Sequence, residues 1–145
     1  MSTLFSQHQI LTPIVVLVLW TLIMEIWMLA TRMQAMNAAG LDPQAAARAI
    51  DLGPQLPDAA QFKADNYNHL MEQPTIFYAL ALALSIAGLG VGLNLACAWI
   101  YVGSRIAHSL VQATFNKVLV RFSLYLIGSI ALAVMAVNAA LKLMS

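Results

Sequence analysis

Charge is scarce in this sequence. Seven Lys or Arg and six Asp or Glu make up 9% of the 145 residues, while 61% are hydrophobic, against roughly 25% charged and 45–50% apolar in ordinary soluble domains. So few charges cannot cover a water-soluble globule of this length, so the apolar excess must face lipid. The formal net charge of +1 gives no basic field, and no cluster of Lys and Arg reaches the density that nucleic-acid binding uses. Cys97 is the single cysteine. That excludes an intramolecular disulfide, and its apolar neighbours Leu95, Ala96, Ala98 and Trp99 give it the role of a small hydrophobe. Histidine is also scarce, with three in all. His69 and Glu72 could share a helix face, but carboxylate-bridged metal bundles need Glu-x-x-His pairs on two helices and further glutamates, so no metal is expected. His8 has no partner in sequence and reads as solvated. The run Gly88-Leu89-Gly90-Val91-Gly92 has no strand before it, which excludes a dinucleotide loop and leaves a turn. Residues 2–9 carry no Lys or Arg ahead of the first apolar run, unlike a cleaved secretory signal.

What is present is four apolar stretches, at about residues 10–31, 67–89, 93–112 and 118–143, each long enough to cross a hydrocarbon core of about 30 Å. The expected fold is all-α and integral to the membrane: one domain over residues 1–145, a four-transmembrane-helix bundle. Short connections make sequential helices antiparallel neighbours. Residues 32–65 hold Arg32, Asp42, Arg48, Asp51, Asp58, Lys63 and Asp65 and read as the one sizeable aqueous loop. Within it, Asp42 and Pro43 can open a short helix through Ile50, with Gly53 and Pro54 stopping it. Pro74 should kink the second span near its polar end. Arg32, Arg48, Lys63, Lys117 and Arg121 lie on one side of the membrane and Lys142 on the other, so the loop side is expected to be cytoplasmic and both termini non-cytoplasmic. Ala79, Ala83 and Ala87 form a ridge of small residues that lets helices approach closely. Trp20, Trp27 and Trp99 fit either core or interface positions.

Charges inside spans cost roughly 2.5–3.5 kcal/mol each at a helix centre, which makes Glu25, Glu72 and Arg105 informative. On the third span Tyr101, Arg105, His108 and Gln112 are spaced by four, three and four residues and share one helical face. Asn68, His69 and Glu72 lie within one turn of the second span, and Arg121 and Tyr125 are one turn apart on the fourth. In the simplest reading the three charges only neutralise one another inside the bundle. Neutralising Arg105 needs one carboxylate, however, and the additional polar residues describe a cavity for a small anionic ligand. Intramembrane acids at Glu25 and Glu72 also leave a proton or ion carrier open.

Two stretches carry a family resemblance: Asp65-Asn-Tyr-Asn-His-Leu-Met-Glu72-Gln-Pro74-Thr-Ile-Phe77, and Tyr101-Val-Gly-Ser-Arg105-Ile-Ala-His108-Ser through Asn116-Lys117 to Arg121. Together with the four-span layout they resemble the MAPEG family, membrane-associated proteins in eicosanoid and glutathione metabolism. The resemblance implies a homotrimer of four-helix subunits, of a bacterial inner-membrane type, with glutathione as co-substrate bound between neighbouring subunits near the cytoplasmic face. It further implies that Arg121 stabilises the glutathione thiolate as the catalytic residue, that Glu72 meets the amino end, and that Arg105 and Arg32 hold carboxylates. Asn68, His69, Tyr101, His108, Gln112 and Tyr125 would complete the binding site, and the electrophile would be a lipophilic molecule arriving through lipid. The pattern departs from the family at Asn68, where an arginine is common, at His69, where an asparagine is expected, and at Gln112, where a tyrosine is expected. Lys63 stands near the place of another arginine. The implied activity is a glutathione-dependent transferase or peroxidase. The alternative is a non-catalytic binding or scaffold protein on the same fold.

Overall fold

A computed structural model describes residues 9–42 and 52–144. Among them the chain is helical, with no strand. The helices are α1 (Leu11–Ala38), α2 (Asp58–Leu70), α3 (Pro74–Ile86), α4 (Leu93–Ala113) and α5 (Val118–Leu143), with a short 3-10 turn at Gly53–Gln55. His8 and the helix expected from Pro43 to Ile50 lie outside the described residues. The 28-residue α1 and the 26-residue α5 are each long and apolar enough to cross a membrane, at about 42 and 39 Å.

Two element boundaries differ from the sequence expectation. The first helix continues past residue 31 to Ala38, because Arg32-Met33-Gln34-Ala35-Met36 ends the apolar run but consists of strong helix formers. It stops at Gly40, whose φ of +64° lets the Gly40 N–H reach the Asn37 carbonyl (3.2 Å) and the Leu41 N–H the Met36 carbonyl (3.1 Å). Residues 32–65 are therefore only partly loop, since α2 already begins at Asp58. The second difference is at Pro74, which opens a new helix instead of kinking one. Met71–Gln73 form a turn in which the Met71 N–H bonds the Asn68 carbonyl at 2.9 Å, and proline takes the first position of α3, where a missing N–H costs nothing.

The glycine run forms the expected turn. Gly88 (φ +71°) and Gly92 (φ +58°) adopt left-handed conformations, and the Leu89 N–H closes on the Leu84 carbonyl at 2.8 Å. At the same end, Asn94 donates to the Leu89 carbonyl (2.8 Å) and accepts from Asn138 (3.0 Å), tying α4 to α5.

The core joins α1, α3, α4 and α5 through Leu17, Met24, Phe77, Leu84, Tyr101 and Met135, all within 1% of full burial. Cys97 packs among them as a free thiol. Phe77 stacks on Tyr101 with ring centroids 4.5 Å apart, which fixes α3 against the polar face of α4. A smaller cluster of Met36, Leu52, Leu56 and Ala60 holds the end of α1 to α2. Lys63 adds to this join, donating to the Ala113 carbonyl at the end of α4 (3.3 Å) and lying 5.1 Å above the Trp27 ring.

The tightest approach is between α4 and α5 at Gly128, where an added Cβ would lie 2.6 Å from Ser104 Oγ. Gly128→Ala is expected to lower the melting temperature in detergent, by an overpacking cost of about 1–3 kcal/mol. Adding Ser104→Ala removes the clashing oxygen and should restore most of the loss. Equal stability of wild type and Gly128→Ala would show that the helices are not this close.

Candidate active site

The polar face of α4 points inward. Tyr101, Arg105, His108 and Gln112 are all buried, and Arg105 is only 1% exposed. A guanidinium so placed needs an acceptor for each N–H. Arg105 Nε donates to Tyr101 Oη (3.2 Å), Nη1 to His69 Nε2 (3.1 Å) and Nη2 to Gln73 Oε1. The rings of Tyr125 and Tyr101 flank it, with centroids 5.0 and 5.4 Å from Cζ. All these partners are neutral.

His69 relays from this centre to the surface. Because a guanidinium only donates, His69 Nε2 presents its lone pair and Nδ1 carries the proton, which it donates to Glu72 Oε2 at 2.9 Å. The Glu72 side chain is 66% exposed. The three in-span charges therefore do not neutralise one another directly: among the described residues Arg105 has no ion pair, and Glu72 reaches it only through the imidazole.

His69 also joins the next group, lying 4.9 Å from the His108 ring and 5.7 Å from that of Tyr125. His69, His108, Arg121 and Tyr125, with Val118 and Phe122, line a cavity of about 230 Å³. Arg121 Nη1 donates to Asn116 Oδ1 at 2.5 Å. Its Nε is buried with no partner, a donor left over in a site whose other walls are partly apolar.

Arg32 and Asn68 fall elsewhere. They line a second cavity, of about 480 Å³, with Asp65, Gln61 and the Gly53–Leu56 segment between α1 and α2. Gln112 enters neither cavity, and its Oε1 is buried without a partner, as is Asn66 Oδ1. Asn66 donates to Ser109 Oγ at 2.7 Å. Among the described residues no three His, Cys, Asp or Glu side chains form a metal-ligating group.

The MAPEG family model matches residues 10–141. The chain belongs to the MAPEG family. No curated protein and no solved structure matches it. Membership makes it a member of a membrane-associated family whose chemistry is in general glutathione-related, and whose members generally form oligomers.

Three residues of this MAPEG site were not singled out from the sequence as site residues. Gln73 accepts from Arg105 and donates to Ser129 Oγ (3.0 Å) and Tyr125 Oη (3.4 Å). Ser129 donates to the Tyr125 carbonyl at 2.9 Å. Asn116 has φ +48°, a left-handed conformation that asparagine tolerates better than other side-chain-bearing residues, and it anchors Arg121. Asn116→Gly keeps the backbone conformation and removes the anchor, so it should fold with near wild-type stability. Asn116→Ala should cost about 1–2 kcal/mol more. Thermal unfolding of the two variants checks this, and equal stabilities would contradict it.

Proposed function

We propose that the chain is a membrane-bound glutathione-dependent transferase or peroxidase acting on lipophilic electrophiles. The observation that carries this is Arg121, which lines a cavity with Val118, Phe122 and Tyr125, has one arm fixed by Asn116 and keeps a buried Nε without a partner. A cation in a low-dielectric site favours a thiolate over a thiol, and the thiolate is the nucleophile. Glutathione fits the donor set. Its carboxylates match Arg105 and Arg32, its ammonium matches Glu72 or Asp65, and its sulfur matches Arg121.

The cavity at Arg121 is smaller than the roughly 300–1,000 Å³ of a small-molecule site, and Arg32 and Asn68 line a different one. Both facts support a site completed between subunits in a homotrimer of antiparallel four-helix bundles, where half-sites on neighbouring copies join. The ridge of Ala79 and Ala83 on α3 and Ala87 at its C-cap is exposed, as a close helix contact between subunits requires. In this assembly Asn68, His69, His108 and Tyr125 meet the tripeptide, and Tyr101 and Gln112, buried behind them on α4, support the binding face. The membrane is a bacterial inner membrane, with the Arg121 end cytoplasmic and both termini on the other side.

Bound glutathione supplies a sulfur nucleophile, which forms a C–S bond as a leaving group departs or attacks a hydroperoxide oxygen as the O–O bond breaks. The protein's part is to hold the anion. Arg121 stabilises the charge on sulfur, Asn116 keeps Arg121 in place, and Val118 and Phe122 offer an apolar path from the lipid. Turnover of glutathione with chlorodinitrobenzene or a lipid hydroperoxide should fall roughly 100-fold in Arg121→Ala, with the trimer retained on size exclusion. Binding without turnover in the wild type would favour the non-catalytic alternative. Ion flux in proteoliposomes that is lost in Glu72→Gln would favour a carrier.

A further inference from the structure

We infer that Gln73 sets the charge preference of the candidate site, by giving the buried Arg105 a neutral carbonyl where a carboxylate would otherwise pair it, so that its positive charge, behind the His69 and Tyr125 wall of the Arg121 cavity, is left uncancelled toward an anionic group of the ligand. The inference deepens the proposed function and rests on it for the identity of that ligand.

A charge taken out of water is ordinarily paired. Arg105 is 1% exposed, and its hydrogen bonds go to a phenol, an imidazole and an amide. Of these acceptors, Gln73 alone has an isosteric acid, since Glu differs from Gln only by an oxygen in place of the NH₂ group. The orientation of the amide is also fixed. Arg105 only donates, so Oε1 faces it and the NH₂ group faces α5, where it donates to Ser129 Oγ and Tyr125 Oη. Ser129 in turn commits its hydrogen to the Tyr125 carbonyl. Tyr125 Oη therefore accepts from Gln73 and keeps its own proton for a further acceptor, while the same residue lines the Arg121 cavity. A glutamate at 73 would reverse both terms: its carboxylate would take the guanidinium's charge, and its second oxygen would take the phenol's proton. One neutral side chain thus leaves a buried positive charge uncancelled behind the cavity wall and an O–H donor on that wall, both favouring an anion, a thiolate or a carboxylate.

The test is Gln73→Glu beside Gln73→Leu, each measured for melting temperature without ligand and for equilibrium binding of glutathione. Gln73→Glu should melt a few degrees higher than wild type, because Arg105 gains a counter-ion, and should bind glutathione at least about tenfold more weakly, because the charge of Arg105 is then offset inside the protein. Gln73→Leu should melt lower, having lost the acceptor. A merely structural role would move stability and binding in the same direction. Unchanged glutathione binding in Gln73→Glu, or a melting temperature no higher than wild type, overturns the inference. If the wild type binds no glutathione while Gln73→Glu still melts higher, the glutathione function falls and the charge assignment of Gln73 stands.

Discussion

A guanidinium held inside a helical membrane protein without a carboxylate beside it constrains everything around it. Arg105 is buried on α4, and its N–H groups must be met by fixed acceptors. Tyr101 is one turn away on the same helix, His69 comes from the last turn of α2, and Gln73 comes from the break before α3. Meeting one side chain thus ties three elements together, and Gln73 extends the tie to α5 through Ser129 and Tyr125. The apolar core supplies most of the burial. The polar cluster decides which faces meet.

His69 and Gln73 both meet Arg105 across the turn at Met71–Gln73. With the turn and Pro74 between α2 and α3, Gln73 meets Arg105 on one side and α5 on the other, while Glu72 meets His69 and water. Glu72 and Arg105, the two charges that would neutralise each other in a purely structural bundle, are thereby held apart by an imidazole.

Much of this was legible in the sequence. The four-three-four spacing of Tyr101, Arg105, His108 and Gln112 identified one face of α4, and all four residues are buried there. The motifs around Glu72 and Arg105 identified the family, whose model covers residues 10–141. Other features were not legible, for physical reasons. Hydropathy marks where a helix leaves lipid and not where it ends, so α1 ran seven residues past the expected boundary at 31, to the glycine that stops it. Helical periodicity carries no information across a break, so Gln73 gave no sign of facing both Arg105 and α5. Asn116 could have been found, since an asparagine between two helices is a frequent bearer of left-handed backbone. No spacing rule could have separated Arg32 and Asn68 from Arg121, because their distance apart is a tertiary property.

The most direct test of the proposal that Arg121 holds an anionic sulfur is an equilibrium titration of the detergent-purified protein with glutathione, following the ultraviolet absorbance of the thiolate in wild type and Arg121→Ala. Saturable binding with a thiolate band that disappears in Arg121→Ala is the expected result. No binding at millimolar glutathione, or a thiolate band of equal strength in the variant, would contradict it.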